Sequence, residues 1–142
     1  MNPIFIATPT KEDIASSLSL WPELAGHRIL PLLITAFGDI YVETQAGEVL
    51  VVDPLQLTCE PVAGSSVELQ GLFSDPAWAE ERLMSDLILL AEERGKRREA
   101  HQVFSVAPHP CFTGAIHVEN LVPVDLPIWH HICAQLRKGM TG

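Results

Sequence analysis

Six side chains able to bind metal or act as nucleophiles crowd the last quarter of the chain: His109, Cys111, His117, His130, His131 and Cys133. Imidazole and thiolate are the usual ligands of zinc, which takes three or four of them in tetrahedral geometry. None of the paired spacings that organise such a site, Cys-x-x-Cys above all, occurs here. His130-x-x-Cys133 puts two ligands on neighbouring helical positions, but Cys133 falls on the side that periodicity buries. A buried free thiol behaves as a small, inert hydrophobe. Cys111, within His109-Pro110-Cys111-Phe112, has a histidine nearby, yet a thiolate nucleophile also needs a depressed pKa and a base placed in space. The residue types leave one chemical alternative open, a small metal- or ligand-binding regulatory module using His109, Cys111 and His117. The sequence predicts neither a bound metal nor any other cofactor.

Paired carboxylates are the second kind of chemistry to weigh. Asp39 and Asp53 both stand at strand ends, where aspartate serves turns well. A working pair would have to sit close together with separated pKa values, and the sequence predicts separate turn roles instead. No serine stands in a Gly-x-Ser-x-Gly setting, and the chain has no phosphate loop and no dinucleotide fingerprint. The expectation is a protein without catalytic residues.

The elements that must position these groups follow from periodicity and punctuation. Thr10, with Asp13 three residues on, starts a short helix that Trp21-Pro22 and Gly26 end. Strands follow over Leu30–Thr35, Ile40–Thr44 and Glu48–Val52, with Gly47 in the second turn. A fourth strand over Leu57–Val62 belongs at an edge, because Pro61 cannot donate to a ladder. Ser65 and Glu68 fit a capping box before one helix. Asp75-Pro76 opens another, with Trp78, Leu83, Met84, Leu87, Ile88 and Ala91 near one stripe and Gly95 as its stop. Gln102–Val106 is a strand, 107–119 a loop, Leu121–Val124 a last strand. Asp125 caps a final helix whose Ile128, Ile132 and Leu136 recur every four residues and which Gly139 ends. The fold class is α+β: a mainly antiparallel sheet packed on one side by helices, in a single domain. Residues 1–27 form an N-terminal helical segment and 28–142 the α+β domain, together one structural unit.

The 142 residues suit one domain, and 47% hydrophobic against 19% charged residues excludes wholesale disorder. With 9 Lys and Arg against 18 Asp and Glu, the net charge of −9 argues against direct nucleic-acid binding. The acid is concentrated: residues 1–93 hold 15 acidic and 3 basic side chains, and residues 94–142 hold 3 and 6. Glu80, Glu81, Glu92 and Glu93 lie off the apolar stripe and are the candidate partner-facing charges, with loop 108–119 as a second candidate surface. Arg94, Lys96, Arg97 and Arg98 read as a solvated helix end. No apolar run is long enough to span a bilayer, the N-terminus lacks a basic leader region, and three scattered cysteines suit a reducing compartment. The expected location is the cytoplasm, with no membrane partner.

Two stretches resemble a known family. Leu33-Ile34-Thr35-Ala36-Phe37-Gly38-Asp39-Ile40-Tyr41-Val42, followed by a hairpin and Val51-Val52-Asp53, is one. Gly114-Ala115-Ile116-His117-Val118-Glu119-Asn120-Leu121-Val122-Pro123-Val124-Asp125-Leu126, leading into the last helix, is the other. Together they are similar to the C-terminal domain of bacterial type VI secretion immunity proteins of the Tdi type, and more distantly to SUKH-type immunity proteins, over roughly residues 28–138. The resemblance implies an α+β fold and a non-enzymatic immunity protein that binds a cognate toxin, a nuclease in the Tdi case. Thr113-Gly114 stands where the family usually has a glycine pair, and Ala134-Gln135 where it usually has Gly-Gln. The motif residues Phe37, Gly38, Asp39, Gly114, Asn120 and Asp125 are expected to be structural: a core ring, turn backbones and side-chain caps.

Overall fold

The computed structural model describes residues 1–141. In chain order its elements are α1 (Lys11–Leu18), β1 (Ile29–Ile34), β2 (Ile40–Thr44), β3 (Val49–Asp53), β4 (Thr58–Ala63), α2 (Ser66–Phe73), α3 (Pro76–Leu83), α4 (Ser85–Glu93), β5 (Gln102–Val106), α5 (Pro110–Thr113), β6 (Leu121–Asp125) and α6 (Leu126–Thr141). The first four strands form an antiparallel meander in the order β1-β2-β3-β4, and Pro61 sits on β4 at its edge, where a missing donor costs nothing. Gly47 turns β2 into β3 at a φ of 91°, a backbone shape that side chains resist. β5 and β6 pair separately, from Gln102↔Asp125 to Val106↔Leu121.

Helices cover both faces of the meander, where the sequence predicts one. The reason lies in the central strands. Ile40, Val42 and Val52 pack with Leu18, Trp21, Leu126 and Trp129 beneath α1 and α6. Their neighbours Tyr41, Val49 and Val51 pack with Leu69, Phe73 and Trp78 beneath α2 and α3. Strands that are apolar on both faces need two covers. The N-terminal segment belongs to this packing, since Leu18, Trp21 and Leu24 share one core with α6.

The stretch predicted as one helix from Pro76 to Glu93 is two. Met84, at φ 50° and ψ 48°, closes α3 with its N–H on the Glu80 carbonyl at 2.8 Å. The two halves serve different cores: Trp78 packs over Tyr41 and Leu69, whereas Ile88 and Ala91 pack against Phe37, Phe104 and Leu121. A straight helix cannot reach both, and the left-handed residue costs about 1–2 kcal/mol to provide the bend. In α6 the predicted stripe is displaced. Ile128 and Ile132 are 52% and 43% exposed, while Leu126, Trp129, His130, Cys133 and Ala134 are buried. The true stripe contains a histidine, so an apolar count favours the face next to it. Gly139 does not end this helix, which runs through to Thr141.

Candidate functional site

The five-residue turn between β1 and β2, Thr35-Ala36-Phe37-Gly38-Asp39, is the junction of the molecule. Its Ala36 N–H donates to the Phe5 carbonyl at 2.9 Å, and its Ala36 carbonyl accepts from Phe104 N–H at 2.7 Å, tying β5 to the meander. From α6, Trp129 Nε1–H donates to the Phe37 carbonyl at 3.0 Å. His130 holds the next carbonyl, that of Gly38, with Nε2 at 2.7 Å. Gly38 is needed there: its φ is 89°, and a Cβ would stand 2.8 Å from Trp129 Cδ1. Phe37, wholly buried, is the expected core ring.

Each buried histidine has both ring nitrogens engaged. His130 Nδ1 accepts from Trp21 Nε1–H at 2.9 Å, so Nε2 carries the proton it gives to Gly38. Burial pulls its pKa down to about 4, against the opposing effect of the Gly38 carbonyl. His109 Nδ1 accepts from Cys111 N–H at 3.0 Å, capping α5, which leaves Nε2–H to donate to the Pro54 carbonyl at 2.9 Å. Neither ring has a lone pair left for a metal. Cys111, His117 and His131 are exposed, Cys133 is buried with its thiol pushed up by desolvation, and no group of three metal-ligating side chains gathers among the described residues.

Asp39 and Asp53, read from the sequence as separate turn residues, are brought together. The Ile40↔Val52 pairing sets them opposite one another at the start of β2 and the end of β3. Asp53 Oδ1 accepts the Leu55 and Gln56 N–H groups, both at 3.0 Å. Asp39 Oδ2 accepts from Thr35 Oγ1 at 3.2 Å. Burial, and then the charge of Asp53, raise the Asp39 pKa well above its usual range. Asp39 Oδ1 and the Tyr41 hydroxyl, both buried, have no other partner. The two carboxyls are close enough to share a hydrogen bond when one of them holds a proton, which leaves the Tyr41 hydroxyl unpaired. The pair is covered by α3, whose Arg82 adds a compensating charge. Asp39 is only 6% exposed, and Asp53 is half-buried.

Of the remaining motif residues, Gly114 ends α5 at φ 73°, and Asn120 contributes its carbonyl, which accepts from Ala107 N–H at 2.9 Å. That replaces the expected side-chain cap. Asp125 Oδ1 accepts from Gln102 Nε2 at 3.3 Å.

The four candidate glutamates divide. Glu81 and Glu93 are exposed. Glu80 Oε1 instead accepts the Asp86 N–H at 3.1 Å, serving as a cap for α4 after the Met84 break. Glu92 pairs with Arg97 at 2.7 Å. The neighbouring cations divide as well: Arg94 and Arg97 are exposed at the helix end, whereas Lys96 and Arg98 turn inward. Lys96 Nζ donates to the carbonyls of Glu119 and Leu121 at 3.2 and 3.0 Å. Arg98 holds those of Ile4, Ile6 and Gln102. Both clamp loops to the β5–β6 sheet. Sequence reading missed them because carbonyl partners leave no compositional trace.

These features define an α+β protein built as a helix-covered meander beside a two-stranded sheet. No family model matches the chain, and no curated protein matches it. Among solved structures it is similar to Atu4351 from Agrobacterium tumefaciens, with a TM-score of 0.55 at 19% identity, over 92% of this chain and 65% of that one. That likeness shows the fold alone, and the chain spans 65% of that protein's length. No helix among the described residues is long and apolar enough to cross a membrane.

Proposed function

We propose that this chain is an immunity-type binding protein of the cytoplasm that neutralises a cognate toxin by covering its working surface, with no bond made or broken. The observation that carries this reading is the division of charge around α3 and α4. Glu81, Asp86 and Glu93 are exposed there, with Leu89 half-exposed among them. Of the cations that follow, Lys96 and Arg98 turn to internal carbonyls, Arg97 pairs with Glu92 at the end of α4, and Arg94 lies exposed beside Glu119. An acidic face with an apolar anchor suits a basic partner, and a nuclease is basic where it holds nucleic acid. The resemblance to Tdi-type immunity domains supports the same reading. So does the engagement of both His109 ring nitrogens, which occupies one of the three side chains of the metal-binding alternative.

The test is association with the product of the adjacent gene. Glu81→Lys with Glu93→Lys should slow association roughly tenfold at low salt and leave the melting temperature unchanged, since neither side chain carries an internal bond. Glu80 and Glu92 are left in place because they do. Association rates indifferent to both salt and charge reversal would overturn the acidic-face mechanism.

A further inference from the structure

α1 and the edge strand β1 stand apart, and between them lies a groove of about 840 Å3. Ile14 and Leu18, one helical turn apart, form its helical wall, and Trp21 and Leu24 are among its lining residues. Across from them stands Leu30 of β1, 58% exposed. The volume falls within the roughly 300–1,000 Å3 of small-molecule sites. Its charge is the unexpected feature. The chain carries 18 acidic side chains against 9 basic ones, yet Lys11 is the single charged residue among the described residues that line the groove. Glu12 and Asp13, its neighbours in sequence, are not among them. Lys11 is also the first residue of α1, where the helix dipole further favours an anion.

We propose that this groove binds a straight-chain aliphatic carboxylate, its tail along the apolar lining and its headgroup at the Lys11 ammonium. The lining chooses the tail: apart from Lys11 its one side-chain hydroxyl, that of Ser19, is already donated to the Ser16 carbonyl, so little is left to orient a hydroxylated or heteroaromatic molecule, and aliphatic burial needs no direction. Pro31 argues against an added peptide strand, because it leaves the open edge of β1 short of a donor. The inference does not depend on the toxin-binding reading, whose acidic face lies on other elements.

The experiment is calorimetric titration of the full chain with octanoate, decanoate and dodecanoate below their micellar concentrations, with decan-1-ol and decylamine as uncharged and cationic controls. Each added methylene should tighten binding about three- to fourfold, and decanoate should bind more tightly than decanol and decylamine. Lys11→Glu should weaken decanoate at least several-fold while sparing decanol. That variant places an acid at a helix start, which favours folding, so its loss of binding is not a loss of structure. Ala15→Phe, on the same helical wall, should block all the ligands, with the far-UV spectrum confirming the fold. No binding, no dependence on chain length, or equal affinity for carboxylate and alcohol would overturn the proposal. Failure here would leave the toxin association rates untouched.

Discussion

The two faces of the meander handle buried polarity in opposite ways. Under α6, polar atoms go inside in matched sets: Trp129 Nε1–H meets the Phe37 carbonyl, while His130 takes a proton donor on one nitrogen and gives one to Gly38 from the other. Every partner is neutral, so burial strengthens the bonds without penalising a charge. Under α3 the polar groups are the buried Asp39 carboxyl, the half-buried Asp53 carboxyl and a phenol, and Asp39 Oδ1 and the Tyr41 hydroxyl find no conventional donor or acceptor among the described residues. A proton kept on Asp39 pairs its carboxyl, while the Tyr41 hydroxyl stays without a partner. The lesson is that one sheet can hold a network that needs nothing from solvent on one side and a proton-dependent one on the other.

The largest test of the contrast compares tryptophans. Trp129→Ala should destabilise by about 4 kcal/mol or more, since it opens a cavity at the junction and strands the Phe37 carbonyl. Trp78→Ala, on the α3 face, removes a ring that is only half-buried and meets Phe73 edge-to-face at 4.9 Å. It should cost about half as much, because exposed area yields less on truncation. Urea unfolding of both variants checks this, and equal losses would mean that α6 does not hold the turn more tightly than α3 holds the sheet.

Acid should attack the α6 face next. His130 is neutral when folded, with a pKa near 4 against 6.5 in the unfolded chain. The unfolded state therefore binds more protons between those values, and stability falls as pH drops through that window. The loss approaches about 3 kcal/mol at the acid end. His130→Gln should flatten the slope of stability against pH between 4 and 6.5, measured by denaturation midpoints in that range.

Much of this arrangement was legible beforehand, and the part that was not has physical causes. The hairpin was readable, and with it the register: a turn centred on Ala46-Gly47 that joins Thr44 to Glu48 also sets Asp39 against Asp53. The consequence was missed because each aspartate, taken alone, has an ordinary turn role. Gly38 was readable as a turn glycine, but its contact with Trp129 was not, because residues 91 apart in sequence share no local signal. The split at Met84 was hidden because periodicity continues across it, as the same stripe feeds two cores. His130 was hidden in a different way: its neutral, doubly bonded ring is polar in composition and apolar in behaviour.

Gly38→Ala probes that long-range contact with the smallest chemical change. The new methyl meets the indole at 2.8 Å in a backbone held at φ 89°, and either alone is unfavourable. A loss of about 2–3 kcal/mol is expected from the two together. Gly47→Ala supplies the control, because its φ of 91° is equally positive but nothing lies within 4 Å of a Cβ there. The excess of the first loss over the second isolates the indole contact, and no excess would place Trp129 away from the turn.

Asp39→Asn is the mildest change and bears most directly on the α3 face. The amide keeps the shape: its oxygen can take the Thr35 Oγ1 hydrogen, and its Nδ2–H can donate to Asp53 without any titrating proton. In the wild type the folded pKa of Asp39 is raised above its ordinary value of 3.8. The folded state therefore binds more protons above that pH, and stability declines as pH climbs from about 4 toward the folded pKa. The variant escapes that decline. It should match the wild type near pH 4 and exceed it by about 1 kcal/mol at neutral pH, the net worth of one hydrogen bond made unconditional. Because His130 favours rising pH over part of the same range, the wild-type profile is the sum of two opposed slopes, and Asp39→Asn should leave the ascending one exposed. Identical profiles for variant and wild type would mean that Asp39 gives up its proton without strain, and that the two faces do not differ in the way their hydrogen bonds imply.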